Sequence, residues 1–145
     1  MTDDLQLRVL TAADAVQALS LYNELTFGPE VTDINTFYRI IAHDGTRVFG
    51  AVIDGSLTAM LTLHLLPNAT WDARPYGLIE NVVTTTRCRH RGIGKALMAN
   101  AVNAAWADNA FKVMLMTGKK RDATGFYKAA GFSSEDKTAM VIRRR

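Results

Sequence analysis

Residues 80 to 95 read Glu80-Asn81-Val82-Val83-Thr84-Thr85-Thr86-Arg87-Cys88-Arg89-His90-Arg91-Gly92-Ile93-Gly94-Lys95. A β-branched run suited to a strand leads into a basic turn with two glycines, and the turn leads into a helix start. A helix start presents N–H groups without intrahelical partners and about half a positive charge. Glycines let an anion approach the main chain closely. Arg89, Arg91 and Lys95 add full charges where a diphosphate needs them. The stretch reads as a pyrophosphate cradle. Two other phosphate motifs fail on spacing. The Walker pattern needs a Ser or Thr after its lysine, where Ala96 stands; the dinucleotide fingerprint needs a third glycine, where Leu97 stands.

Outward from this stretch the chain alternates strands and helices. Leu5, Leu7 and Val9 alternate as a first strand. Thr11 and Asp14 form a capping box that opens a helix to about Thr26, with Val16, Leu19, Tyr22 and Asn23 on its inner face. Asp33 caps a second helix with Ile34, Phe37 and Ile41 inward. Asp54-Gly55 joins strands over 47–53 and 57–66 as a tight hairpin. Residues 67–75 read as a loop and 77–86 as a central strand. The helix after Gly94 runs to about Asp108, buried along Ile93, Leu97, Ala101 and Ala104. A strand over 112–117 follows. Asp122 caps a short helix that Gly131 ends, and 138–143 is a last strand. The order β-α-α-β-β-β-α-β-α-β predicts an α/β fold in a single domain over residues 1–145, a mixed central sheet with helices on both faces.

Composition narrows the function classes. The chain has 145 residues, a net charge of +3 and one cysteine, Cys88. It can form no internal disulfide and no thiolate-rich metal site. No apolar run approaches the ~20 residues that cross a bilayer. Met1 to Leu7 carries acidic residues and lacks a signal-like core. A cytoplasmic protein without membrane partners is expected. His43, His64 and His90 are too scattered for a metal site, so no metal is expected. Arg87, Arg89, Arg91, Lys119, Lys120 and Arg121 could make one basic surface, but no helix-turn-helix pattern accompanies them, and no nucleic-acid partner is expected. Cys88 among basic residues invites a nucleophile reading, yet no base and orienting group stand in pattern with it.

Two motifs carry a family resemblance. Arg89-x-x-Gly92-x-Gly94 after a strand is similar to the R/Q-x-x-G-x-G/A signature of the GNAT superfamily of N-acetyltransferases. The run Gly125-Phe126-Tyr127-Lys128-Ala129-Ala130-Gly131-Phe132 resembles that family's F-Y-x-x-x-G-F segment. The order of elements resembles the family over essentially the whole chain.

The resemblance implies the acyl-coenzyme A N-acyltransferase (GNAT) fold with splayed central strands, and transfer of an acetyl group from acetyl-coenzyme A to a primary amine. Backbone groups around Val82, Val83 and Thr84 would hold the pantetheine arm. The diphosphate would lie on Arg89, His90, Arg91, Gly92, Ile93, Gly94 and Lys95. Lys120 stands where the family often has a cofactor-contacting Asn. Tyr127 would donate a proton to the departing thiolate, as a phenol of pKa ~10 can. Glu80 would deprotonate the acceptor ammonium, directly or through water. Ile79-Glu80-Asn81 also resembles the I-E-D stretch of glucosamine-6-phosphate N-acetyltransferases, with Asn81 in place of Asp. The expected partner is a small-molecule amine, with a homodimer expected by resemblance. A protein or peptide acceptor, and a coenzyme A-binding regulatory module without turnover, are the alternatives.

Overall fold

The computed structural model describes residues 4–145. Of the stretch read for a signal segment, Met1, Thr2 and Asp3 lie outside the described residues. The chain divides into two compact units, the first ending at Leu115 and the second running from Met116 to Arg145.

The first unit is built on a five-stranded mixed sheet. Strands β1 (Leu5–Val9), β2 (Thr46–Ile53), β3 (Ser56–Leu66), β4 (Tyr76–Thr84) and β5 (Val113–Leu115) lie side by side in sequence order. The first four are antiparallel, and β5 joins β4 in parallel. The β2–β3 turn uses Asp54 (φ 50) and Gly55 (φ 77), both left-handed, as a two-residue hairpin requires.

The capping box forms as expected. The Asp14 carboxylate accepts the Thr11 N–H at 2.8 Å and opens a 3-10 turn that leads into α1 (Ala15–Leu25). The same carboxylate accepts two 2.8 Å bonds from the Arg8 guanidinium, which holds it below the usual carboxylate range. Ala15, Ala18, Leu21 and Tyr22 form the buried stripe of α1. Val16, expected inward, is 73% exposed, because it falls beside that stripe. Asp33 caps α2 (Ile34–Ala42) by accepting the Asn35 N–H at 2.9 Å, and Phe37 is fully buried. Both helices cover one face of the sheet over a core of Leu10, Val48, Val52, Leu57, Met60 and Val83. On the other face α4 (Ile93–Ala107) buries Ile93, Leu97, Met98, Ala101 and Ala105.

The stretch expected as a loop at 67–75 contains α3 (Thr70–Ala73), a single turn with Trp71, Asp72 and Ala73 all at positive φ. Trp71 stacks on Phe111 at 5.5 Å, and Arg74 donates to the carbonyls of Asn109 and Ala110. These contacts hold a backbone that non-glycine residues rarely adopt.

In the second unit a 3-10 turn (Lys119–Arg121) precedes α5 (Thr124–Ala129). Asp122 is not the cap of α5: it is left-handed (φ 51), and Ala123 takes the cap position. Gly131 (φ 98) ends α5 as expected. Its N–H reaches Lys128 O at 3.0 Å and the Phe132 N–H reaches Tyr127 O at 3.0 Å, a full Schellman arrangement. Two strand expectations are corrected. The strand over 112–117 shortens to Val113–Leu115, and 138–143 forms no strand. Met140, Val141 and Ile142 stay exposed there, since strand propensity reflects fit to a sheet surface and no ladder receives these residues.

Candidate active site

The site is built where β4 is irregular. Glu80 pairs with Thr62 on β3 and Val83 pairs with Met60, so Asn81 and Val82 together face Leu61 alone. This is a β-bulge, and Asn81 takes a left-handed backbone there (φ 52), which Asn tolerates better than most residues. The bulge turns the strand over. Val83 joins the core beneath α1 and α2, whereas Ile79, four residues earlier, is buried opposite Leu63 outside that core. Without the bulge the even separation would put both on one face. Backbone direction changes in step: Gly77 donates to Lys112 O beside β5, and Thr85 donates to Thr58 O beside β3.

The same strand loses its parallel neighbour. The β4–β5 ladder runs over Gly77↔Val113, Leu78↔Met114 and Ile79↔Leu115 and stops. Glu80 to Thr84 continue on β3 alone. The resemblance implies its splay at this point of the sheet. Glu80 sits half-buried at the point of parting, on the face that carries Thr62 and Met60. Its carboxylate makes no hydrogen bond or ion pair with the described residues.

The turn after β4 folds tightly. A 3-10 turn (Thr86–Cys88) leads to His90 (φ 60) and Gly92 (φ 78), both left-handed. Gly92 is the N-cap of the 15-residue α4, and no side chain caps that end. Ala96 N–H to Gly92 O, 3.0 Å, is the first bond of the helix, so the N–H groups of Ile93, Gly94 and Lys95 lack intrahelical acceptors. A Cβ at Gly92 would meet nothing within 4 Å. Arg89, His90, Arg91 and Lys95 are exposed around this open end.

The structure brings several candidates together. Arg89 Nε donates to the Thr84 carbonyl at 3.1 Å, tying the turn to the end of β4. Ile93 and Val83 are buried, so only their main chain is available to a ligand. Cys88 is buried, and its sulfur accepts a weak 3.9 Å contact from Arg91, a position unsuited to a nucleophile. Among the described residues no three His, Cys, Asp or Glu side chains cluster to hold a metal, and no helix is long and apolar enough to cross a membrane.

Tyr127 and Lys120 belong to the second unit. Tyr127 is the residue three back from the α5 cap; its ring meets Phe126 at 5.0 Å and Phe132 at 6.4 Å, both edge-on. The aromatic spacing of the motif is thus also a helix-ending device: Phe132 packs against Tyr127 as the residue after the glycine does in a Schellman motif. Lys120 is exposed.

Sequence reading missed Glu24. Its carboxylate accepts the Thr85 hydroxyl at 2.8 Å and the Thr86 N–H at 3.2 Å, across 61 residues of chain. No local pattern signals that pairing. Asn81 did carry a signal: an Asn inside a β-branched run marks a bulge.

Known proteins match this architecture. The family model described as Acetyltransferase (GNAT) family matches residues 12–132. A glucosamine 6-phosphate N-acetyltransferase of Trypanosoma brucei brucei is 31% identical over 143 residues, covering 94% of this chain and 96% of that protein. A solved Agrobacterium tumefaciens C58 protein, described as an acetyltransferase, superposes with a TM-score of 0.90 at 37% identity, over 96% of this chain and 99% of its own. The Arabidopsis thaliana glucosamine-6-phosphate N-acetyltransferase shares the fold, with a TM-score of 0.83 at 21% identity over 98% and 99% of the two chains.

Proposed function

We propose, for a chain that belongs to the GNAT family of acetyltransferases, that it acetylates the primary amine of a small molecule. As a member it is an N-acetyltransferase dependent on acetyl-coenzyme A. The acceptor proposed is an amino sugar phosphate. That choice rests on the Trypanosoma relative and on Ile79-Glu80-Asn81, whose Asn81 keeps the left-handed bulge without the charge of an Asp.

One observation carries the reading: an uncapped helix start ringed by cations follows directly on a bulged strand with a parted edge. In the proposed reaction the diphosphate lies on the N–H groups of residues 93–95, with Arg89, Arg91 and Lys95 supplying charge. The pantetheine arm runs along the main chain of residues 82–84. Glu80 takes a proton from the acceptor ammonium, and the free amine attacks the thioester carbonyl. A main-chain N–H near Val83 or Thr84 stabilises the developing oxyanion. The carbon–nitrogen bond forms, the nitrogen releases its second proton to solvent, the carbon–sulfur bond breaks, and Tyr127 protonates the leaving thiolate and recovers its proton from solvent. Holding both substrates together makes the attack effectively unimolecular, so no covalent enzyme intermediate is required.

The test is calorimetric titration with acetyl-coenzyme A, followed by release of free thiol over an amine panel that includes D-glucosamine 6-phosphate. Saturable binding and thiol release with that sugar are expected. No binding at millimolar acetyl-coenzyme A would overturn the cradle. Release with a peptide amine but no small amine would replace the acceptor class, and binding without release on any amine would favour a regulatory module.

A further inference from the structure

The last turn of α1 touches two loops through adjacent residues. Asn23 Oδ1 accepts the Val31 N–H at 2.7 Å, and Asn23 Nδ2 donates to Val31 O at 3.0 Å. This pair closes the exposed loop between α1 and α2. Glu24, the next residue, reaches the other way and holds Thr85 and Thr86. Thr85 is buried and already donates its N–H to Thr58 O at 2.8 Å on β3. The Thr86 N–H opens the 3-10 turn, so nothing inside that turn can accept it. Glu24 Oε2 takes that donor while Oε1 fixes the Thr85 side chain.

We infer that Glu24 is a positioning residue for the cofactor turn. It sets where residues 86–92 leave the sheet, and therefore where the start of α4 presents its N–H groups. This rests on the reading that the turn holds the diphosphate of coenzyme A. The charge of Glu24 argues against an electrostatic role, since a carboxylate beside a diphosphate site repels the ligand. What it supplies is geometry: two hydrogen bonds that order the turn before the ligand arrives, lowering the ordering cost at binding.

That distinction gives the test. Glu24→Gln keeps an oxygen for the Thr86 N–H and an NH2 for the Thr85 hydroxyl, which rotates to accept, while removing the charge. Glu24→Ala removes both bonds. The readouts are calorimetric Kd for coenzyme A and the ligand-free melting temperature. With two hydrogen bonds lost and the turn partly re-forming, Glu24→Ala should weaken coenzyme A about five- to tenfold. Glu24→Gln should bind within about twofold of the unmodified chain, or more tightly. In a double-mutant cycle with Thr85→Val, the two losses should combine to less than their sum.

An unchanged Kd in Glu24→Ala overturns the inference. So does a Glu24→Gln variant as weak as Glu24→Ala, or strictly additive losses in the cycle. A weakened Kd that merely follows a fallen melting temperature in both variants assigns Glu24 to fold stability instead. If the unmodified chain itself fails to bind coenzyme A, the diphosphate reading fails, a result separable from failure of the Glu24 role.

Discussion

Replacing Gly92 with alanine separates the conformation of the turn from its use. Gly92 sits at φ 78, and a Cβ there would meet no heavy atom within 4 Å. The cost to the free protein is therefore the left-handed penalty alone, about 1–2 kcal/mol, with no clash added. Unfolding entropy near 2.1 cal/mol/K per residue gives about 0.3 kcal/mol per kelvin for a chain of this length. Gly92→Ala should then melt about 3–6 °C lower. Gly92→Asn should lose less, because Asn enters the left-handed region more readily. Binding should rank the two differently. The open space beside Gly92 is where the diphosphate is proposed to enter, so both side chains should weaken coenzyme A, and the larger Asn more. Melting curves and calorimetric titration on the same preparations read both effects. If Gly92→Ala melts with the parent, the backbone argument is wrong. If both variants bind coenzyme A like the parent, the ligand does not use this end of α4.

Glu80→Gln should cost about tenfold to a hundredfold in turnover at low pH and converge on the parent where the acceptor amine is already free; a ratio flat across pH removes Glu80 as the base. Tyr127→Phe should lower kcat about tenfold or more while coenzyme A Kd stays put, and an unchanged kcat removes Tyr127 as the acid. Asp14→Asn should destabilise by about 2 kcal/mol at neutral pH, as expected for bonds to charged groups. The pH dependence follows from the direction of the Asp14 shift. Its folded pKa lies below the unfolded value, so its contribution is full above about pH 4 and is lost as pH falls through the depressed folded value. Acid melting of the parent and of Asp14→Asn should therefore draw together towards low pH, and parallel curves would contradict it.

What the sequence disclosed follows the range of the forces involved. The strand, glycine turn and helix start at 80–95 were legible because charge, glycine and β-branching change within a few residues. So was the end of α5, where Tyr127, Gly131 and Phe132 satisfy one local hydrogen-bond pattern. Asp14 announced a cap through its spacing from Thr11. The errors arose where the outcome depends on distant chain. Residues 138–143 have strand composition but gain no ladder. Trp71, Asp72 and Ala73 contain no glycine to announce left-handed backbone, and the stacking of Trp71 on Phe111 helps hold them. Glu24 looks like any helix-surface carboxylate until the fold brings Thr85 beside it. For the site, spacing named residues 89–95 and the family resemblance named Glu80, while the bulge beside Glu80 and the carboxylate that anchors the turn came from the three-dimensional structure.

The unpaired residue at Asn81 makes the length of β4 a matter of phase. Forcing residues 79–84 into regular pairing without removing a residue would put Val83 on the face of Ile79 and out of the core beneath α1. Deleting one residue at 81–82 would instead leave Val83 opposite Met60 and keep both faces of the strand as they are. Grafting this strand onto another sheet would therefore keep Ile79 and Val83 on their opposite faces only if the bulge, or a single deletion in its place, travels with it.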